Sequence, residues 1–208
     1  MARSGYVAYV RRDARALIAA AVAVVVLGVA GGAGEGRSFV IRASSTFMRL
    51  GDYWIDKDPT YAGAVAALGP SSSCRLVHGD VSHGLASWRA LGIVIELRTY
   101  GGLPQAKTAC TAPRFIRVHT VRVIDKRWTT ARGLRVGDTV SRLRHSYPSA
   151  KAAHGLTGWY ERGYWLVTRW VGGYEGIGGL RPTVPVLVAE TSRGRVSGFV
   201  LVVDAEGD

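Results

Sequence analysis

The sequence predicts an α+β fold: an N-terminal hydrophobic helix followed by two short helix-plus-antiparallel-hairpin units sharing a sheet. Three observations predict it. The stretch WRALGIVIELRTYGG, Trp88 to Gly102, is nearly rewritten as WYERGYWLVTRWVGG, Trp159 to Gly173. Each stretch follows a short helix candidate that stops at a proline. Each is followed by further β-branched runs, the residue make-up of strands.

The repeat keeps a constant spacing. Trp88/Trp159, Gly92/Gly163, Arg98/Arg169, Gly101/Gly172, Gly102/Gly173, Thr120/Thr191 and Arg122/Arg193 all stand 71 apart. IVIELRTY and YWLVTRWV read as strands that close on glycine pairs. Gly92 and Gly163 are expected at turns, which puts Trp88 and Trp159 on the preceding strands of two hairpins. RFIRVHTVRVI, residues 114–124, continues the first unit. PVLVAETSRGRVSGFVLVV, residues 185–203, continues the second, with a hairpin turn at Ser192-Arg193-Gly194-Arg195.

The helix candidates come next. In PTYAGAVAALGP, Asp58 is the candidate N-cap, Pro59 the first helical residue, and Leu68-Gly69-Pro70 the stop. In GDTVSRLRHSYP, starting at Asp138, Val140, Leu143 and Tyr147 fall on one helical stripe before Pro148. Helices this short need a sheet to bury their apolar faces. The candidate repeat units are 58–124 and 137–204.

The N-terminal helix concerns location. Arg3, Arg11, Arg12 and Arg15 precede an uncharged run from Ala16 to Gly34. At about 1.5 Å per residue such a run nearly spans the hydrocarbon core of a bilayer. The arginines stay on the cytoplasmic side, so residues 37–208 are expected outside the cell membrane. Residues 1–36 then form a cytoplasmic tail and signal-anchor or signal segment. A retained single-pass anchor is the first reading. Cleavage near Gly28-Val29-Ala30 or Gly31-Gly32-Ala33, giving a secreted protein, is the alternative.

Cysteine use agrees with export. Cys74 and Cys110 are the only two, and pairing is the default in an oxidising compartment. Two buried free thiols are the other reading. Neither cysteine has a second ligand at CxxC or CxxH spacing, so no metal site is assigned.

Net charge is +12, and only Lys57, Lys107, Lys126 and Lys151 among the 27 basic residues are lysines. Four arginines and one aspartate precede Glu35, so the remainder carries +9. That sign favours anionic surfaces. Export argues against nucleic acid, which leaves the membrane at residues 16–34 and an envelope protein or anionic wall polymer as partners.

Catalytic signals are missing. The chain contains no GxSxG, HExxH, GxxxxGK[ST] or CxxC. GGYEGIGG, residues 172–179, lacks phosphate-cradle spacing. HGDVSH holds three possible metal ligands, His78, Asp80 and His83, in a pattern common in polar loops. Glu96 and Glu161 would make an acid–base pair only if the fold brought them together. No catalytic residue and no cofactor are assigned.

The second hairpin is rich in binding-type residues. Trp159, Tyr160, Arg162, Tyr164, Trp165, Arg169 and Trp170 form the candidate binding surface. Strict alternation puts Tyr164, Leu166, Thr168 and Trp170 on one face of its second strand. Trp165, Val167, Arg169 and Val171 fall on the other. Cross-strand aromatic packing inside the sheet is the competing reading.

GLRVGDTVSRLRHSYP, residues 133–148, resembles the opening of the small exported BamE/SmpA-like and β-lactamase-inhibitor-like α/β domains. Leu68-Gly69-Pro70 matches the helix exit of the same motif. The resemblance covers about residues 58–204 and implies a tandem α/β repeat. RWTTARGLRVGD also looks like uncharacterised exported actinobacterial proteins, which implies location alone. The expected function is a non-catalytic, envelope-exposed binding module; the alternative is a small secreted hydrolase acting on cell-wall or lipid substrate.

Overall fold

The computed structural model describes residues 38–99, 101–153, 163–170 and 183–203. They belong to one unit, Arg37–Asp208. The expected N-terminal helix lies outside the described residues.

Twelve strands and two α-helices are described, and the fold is mostly β. The α+β expectation is therefore corrected. The helices were rightly placed, but they are only eight and seven residues long. Strands make up the bulk of the domain, and they form two sheets rather than one.

A small sheet comes first in the chain. β1 (Val40–Ala43), β2 (Met48–Leu50) and β3 (Tyr53–Trp54) are antiparallel. β8 (Thr129–Thr130) joins β1 in parallel. Ile41, Leu50, Tyr53 and Ile55 point inward and are almost fully buried.

The large sheet is built from two units of like topology. The first is α1 (Tyr61–Leu68), β4 (Ser73–Val77), β5 (Asp80–Trp88), β6 (Ile93–Arg98) and β7 (Arg117–Val123). The second is α2 (Val140–Ser146), β9 (Lys151–Ala153), β10 (Gly163–Trp170), β11 (Thr183–Ser192) and β12 (Arg195–Val202). The sheet order is β4-β5-β6-β7-β12-β11-β10-β9. The last strands of the two units pair antiparallel at the centre, so each unit runs outward from the same seam.

Hydrogen bonds repeat between the units. Thr60 caps α1 by accepting from Gly63 N, and Thr139 caps α2 by accepting from Arg142 N. Tyr61 N donates to Ile116 O at 2.9 Å, and Val140 N donates to Gly194 O at 3.0 Å. Val118 N donates to Pro59 O at 2.7 Å, and Val196 N donates to Asp138 O at 2.8 Å. The helices are thus related by an offset of 79 and the last strands by 78.

The 71-residue offset aligns different strands. It lays β6, third in its unit, on β10, second in its unit. Gly92 is in a turn, with φ +61°, after Trp88 at the end of β5. Gly163 is not in a turn. It lies within a strand, paired with both Ala153 and Glu190, and a Cβ there would collide with Ala189 O. Asp58 is likewise not the cap of α1. Its carboxylate accepts from the amide and hydroxyl of Thr60, the residue that caps the helix.

One hydrophobic core lies between the large sheet and the small sheet. Ile93, Ile95, Leu97, Val121, Val123, Phe199 and Leu201 supply the sheet's side of it. Each such side chain stabilises the fold by roughly 1.5–3 kcal/mol on burial. Trp128 anchors the small sheet: its Nε1 donates to Leu91 O at 2.7 Å, and its ring meets Phe39 edge-on at 5.1 Å.

Candidate functional site

Alternation leaves a second face on the large sheet, turned away from that core. Strand register places Leu85 and Ser87 of β5, Val94 and Glu96 of β6, Thr120 and Arg122 of β7, and Val188 and Glu190 of β11 on it. Val200 and Val202 of β12 complete its centre. This outer face is neither a plain solvated surface nor a second core. Val188, Val200 and Val202 are buried there, with Trp165 packed against them. Beside them is a hollow of about 320 Å³, lined by Arg75, Leu85, Ser87, Val94, Glu96, Thr120, Arg122, Glu190 and Val200.

Two glutamates mark the face. Glu96 precedes a register shift between β6 and β7, and Glu190 precedes the matching shift between β11 and β12. In each unit the partner strand carries one extra residue there, His119 or Ser197. The equivalence extends backward: Ile93-Val94-Ile95-Glu96 and Leu187-Val188-Ala189-Glu190 stand 94 apart.

The environments of the two glutamates differ. Glu96 is 2% exposed, a carboxylate that burial would penalise without partners. Thr120 Oγ1 donates to its Oε2 at 3.1 Å, and Arg98 donates to its Oε1 from Nε at 3.1 Å and Nη2 at 3.0 Å. His83 Nε2 sits 2.8 Å from the same Oε1, yet out of line for a hydrogen bond. Glu190 instead reaches across the seam to Arg122, whose Nε donates to Oε2 at 2.8 Å. Gly198, opposite Glu190, makes room for it: a Cβ there would stand 2.9 Å from Oε2. Near the cluster, hydrogen bonds from the Ser82 hydroxyl and amide hold exposed Asp80 below the usual carboxylate range, with smaller help from His83 and Arg98.

The aromatic surface expected on the second hairpin divides. Trp159, Tyr160 and Arg162 lie outside the described residues, as does the side chain of Trp170. Tyr164 packs against the main core, while its hydroxyl meets Arg144 Nη2 at 3.1 Å. Trp165 lies on the outer face, and its Nε1 is buried with no hydrogen-bond partner among the described residues. Arg169 donates from Nη2 to Val203 O at 3.1 Å. Strict alternation fails because β10 shifts register between Trp165 and Thr168. Both Leu166 and Val167 therefore join the main core.

Cys74 and Cys110 form a disulfide, with Cα atoms 5.7 Å apart. It ties edge strand β4 to the long connection between β6 and β7. His78 and Gly79 form the β4–β5 turn, and His83 faces Glu96. Among the described residues no group of three or more His, Cys, Asp or Glu side chains is placed to hold a metal ion. Among them, too, no helix is long and apolar enough to cross a membrane; residues 16–34 lie outside them.

The sequence pairs Glu96 only with Glu161, which lies outside the described residues; the bulge positions of Glu96 and Glu190, the role of Arg122 and the hollow were not read from it. Their signal was present: an acidic residue closing an apolar strand run, written once in each unit as IVIE and LVAE. No family model, curated protein or solved structure matches this chain.

Proposed function

We propose that this protein is a non-catalytic binding module exposed to the cell envelope, held by a membrane anchor at residues 16–34. The outer face of the large sheet is its principal contact surface. One observation carries this reading: the hollow reaches Val200 of the apolar patch that Trp165 packs against, and Arg75, Arg122 and Glu190 also line it. Apolar surface with a few placed polar groups is the make-up of a recognition surface. The disulfide supports an oxidising compartment. The Arg-flanked apolar run supports the anchor, and the BamE/SmpA-like and inhibitor-like motif supports export. The partner class is an envelope protein or anionic wall polymer.

The test uses the full chain in its native envelope. A photo-crosslinking residue replaces Ser87 on the outer face or exposed Arg114 on another surface. A defined adduct from position 87 and none from 114 is expected. Equal labelling from both positions, or none from 87, would remove the outer face as the contact surface. A reporter active only in the cytoplasm, fused after Asp208, should be silent; strong activity would overturn the topology.

A further inference from the structure

The corner of the domain around α2 carries a concentration of charge that the outer face does not explain. Arg132, Arg135, Arg142 and Arg144 lie on or beside α2, Arg193 lies in the β11–β12 turn and Arg195 opens β12. All six are exposed. Asp138 is the one carboxylate in segments 131–147 and 191–196, so this corner has a net charge of +5 out of the chain's +12. The backbone holds the two segments together: Val140 N donates to Gly194 O at 3.0 Å, and Arg195 Nη1 donates to Gly137 O at 2.9 Å.

Among the described residues none of these six guanidinium groups pairs with a carboxylate. Two are held in place by aromatic rings. Arg132 lies over Tyr147 at 4.8 Å and Arg144 over Tyr164 at 5.7 Å. Arg135, Arg142 and Arg193 make no side-chain contact among those described. The corner is therefore part preorganised and part free, and its excess positive charge gathers small anions from solution. A chain of phosphates displaces those ions and gains their release. Guanidinium forks match phosphate oxygens in pairs, which a carboxylate-only or lysine-only surface would not require.

We propose that the α2 corner binds an envelope polymer with a phosphodiester backbone. A bilayer surface fits less well, because membrane-surface elements add apolar side chains that enter the headgroup layer. Among the described residues the exposed large apolar ones are Phe47, Trp54, Val81, Phe115 and Ile124, and none lies in these two segments. The proposal rests on the extracytoplasmic reading above and places the anionic partner on a surface separate from the outer sheet face. The reporter fusion tests the topology and the assay below tests the corner, so either can fail alone.

The assay is fluorescence anisotropy of an end-labelled poly(glycerol phosphate) chain with the full-length protein in neutral detergent micelles. The triple variant Arg135→Ala, Arg142→Ala, Arg193→Ala should weaken binding at least tenfold. It should also flatten the slope of log K against log salt by about 2. A triple of equal charge change elsewhere, Arg42→Ala, Arg89→Ala, Arg114→Ala, should leave affinity within about twofold. Thermal midpoints guard against unfolding, and Arg193→Ala alone, on an exposed turn, gives the same direction with a smaller loss. Wild-type affinity in the first triple overturns the proposal, as does an equal loss in the second. Binding of polyglutamate as tight as that of the phosphodiester chain also overturns it.

Discussion

Helix α1 in the first unit and helix α2 in the second occupy the same place in the duplicated backbone, with matching threonine caps and matching hydrogen bonds to the last strand. Their surroundings are opposite. α1, YAGAVAAL, carries no charge and buries Tyr61, Gly63, Ala64 and Leu68. The small sheet packs against it, with Tyr53 Oη donating to the carbonyl of Asp58 at 2.9 Å just before the helix. α2, VSRLRHS, buries only Leu143 and turns its arginines to solvent. The connections differ too. Between β11 and β12 it is Arg193-Gly194, both at positive φ as a tight hairpin demands. Between β6 and β7 it is a long loop secured by the disulfide. One backbone plan thus serves two ends. The small sheet helps to bury the first helix in the core, while the second turns its arginines to solvent.

The sharpest way to break this contrast is to move charge into the roofed helix. Ala64→Arg should destabilise the domain by about 4 kcal/mol or more, because Ala64 is fully buried in the apolar core and an arginine there brings both excess volume and a desolvated charge. Urea unfolding of the full chain in detergent measures it, and a near-wild-type midpoint would mean that α1 is not core. Next in size is the disulfide. Replacing Cys74 and Cys110 together by Ala should cost about 2–4 kcal/mol, and all of it should be felt at the first unit. Hydrogen exchange should show faster opening of β4 and the β6–β7 loop, with β11 and β12 little changed. Equal loosening of both units would contradict the separation.

Tyr53→Phe comes third, at about 1 kcal/mol for the lost hydrogen bonds to Asp58 O and Thr60 O. This residue also carries a pH signature. Burial, helped by the nearby Asp58 charge, pushes the Tyr53 phenol far above its ordinary value. Above a pH of about 10 the unfolded chain releases this proton while the folded chain keeps it, so stability falls as pH rises. Tyr53→Phe should make that decline shallower without abolishing it, since burial also raises the Tyr147 phenol. An unchanged alkaline slope would remove Tyr53 as a cause.

The caps sharpen the comparison from the other side. Thr60→Ala and Thr139→Ala should each cost about 1 kcal/mol, because both hydroxyls accept from the third helical amide. A loss at one more than twice that at the other would show that the surroundings, not the shared cap, set the strength. Smallest of all, Arg142→Ala should change stability by no more than about 0.5 kcal/mol. A larger loss would mean that the arginine supports the fold and is not simply displayed on it.

Signals that act over a few residues were legible in the chain. Gly69 and Pro148 mark the ends of the helices, Ser192 to Arg195 makes its turn, Gly92 takes its left-handed conformation, and the two cysteines pair. Each follows from local backbone chemistry or from the simple scarcity of alternatives. The repeat was visible as well, but at an offset that matched Trp and Gly identities rather than strand positions. Identities of that kind recur wherever a Gly- and Arg-rich chain writes strands. The true equivalences, IVIE with LVAE and Thr60 with Thr139, lie in hydrophobic pattern and cap chemistry.

What the sequence alone determined was therefore punctuation: where strands and helices stop, which cysteines join, and how much positive charge the domain must display. Tertiary structure decided the fold class, because the short N-terminal strands and β8 become a sheet only when paired across the chain. It decided which side of β10 faces the core, because two register shifts around Val167 bring it inward and leave Trp165 on the outer face. It also decided that Glu96 is buried among Thr120, Arg98 and His83 while Glu190 crosses the seam to Arg122. Those facts depend on residues far apart in sequence, and strand register, a property of pairs of strands, is not written in either strand alone.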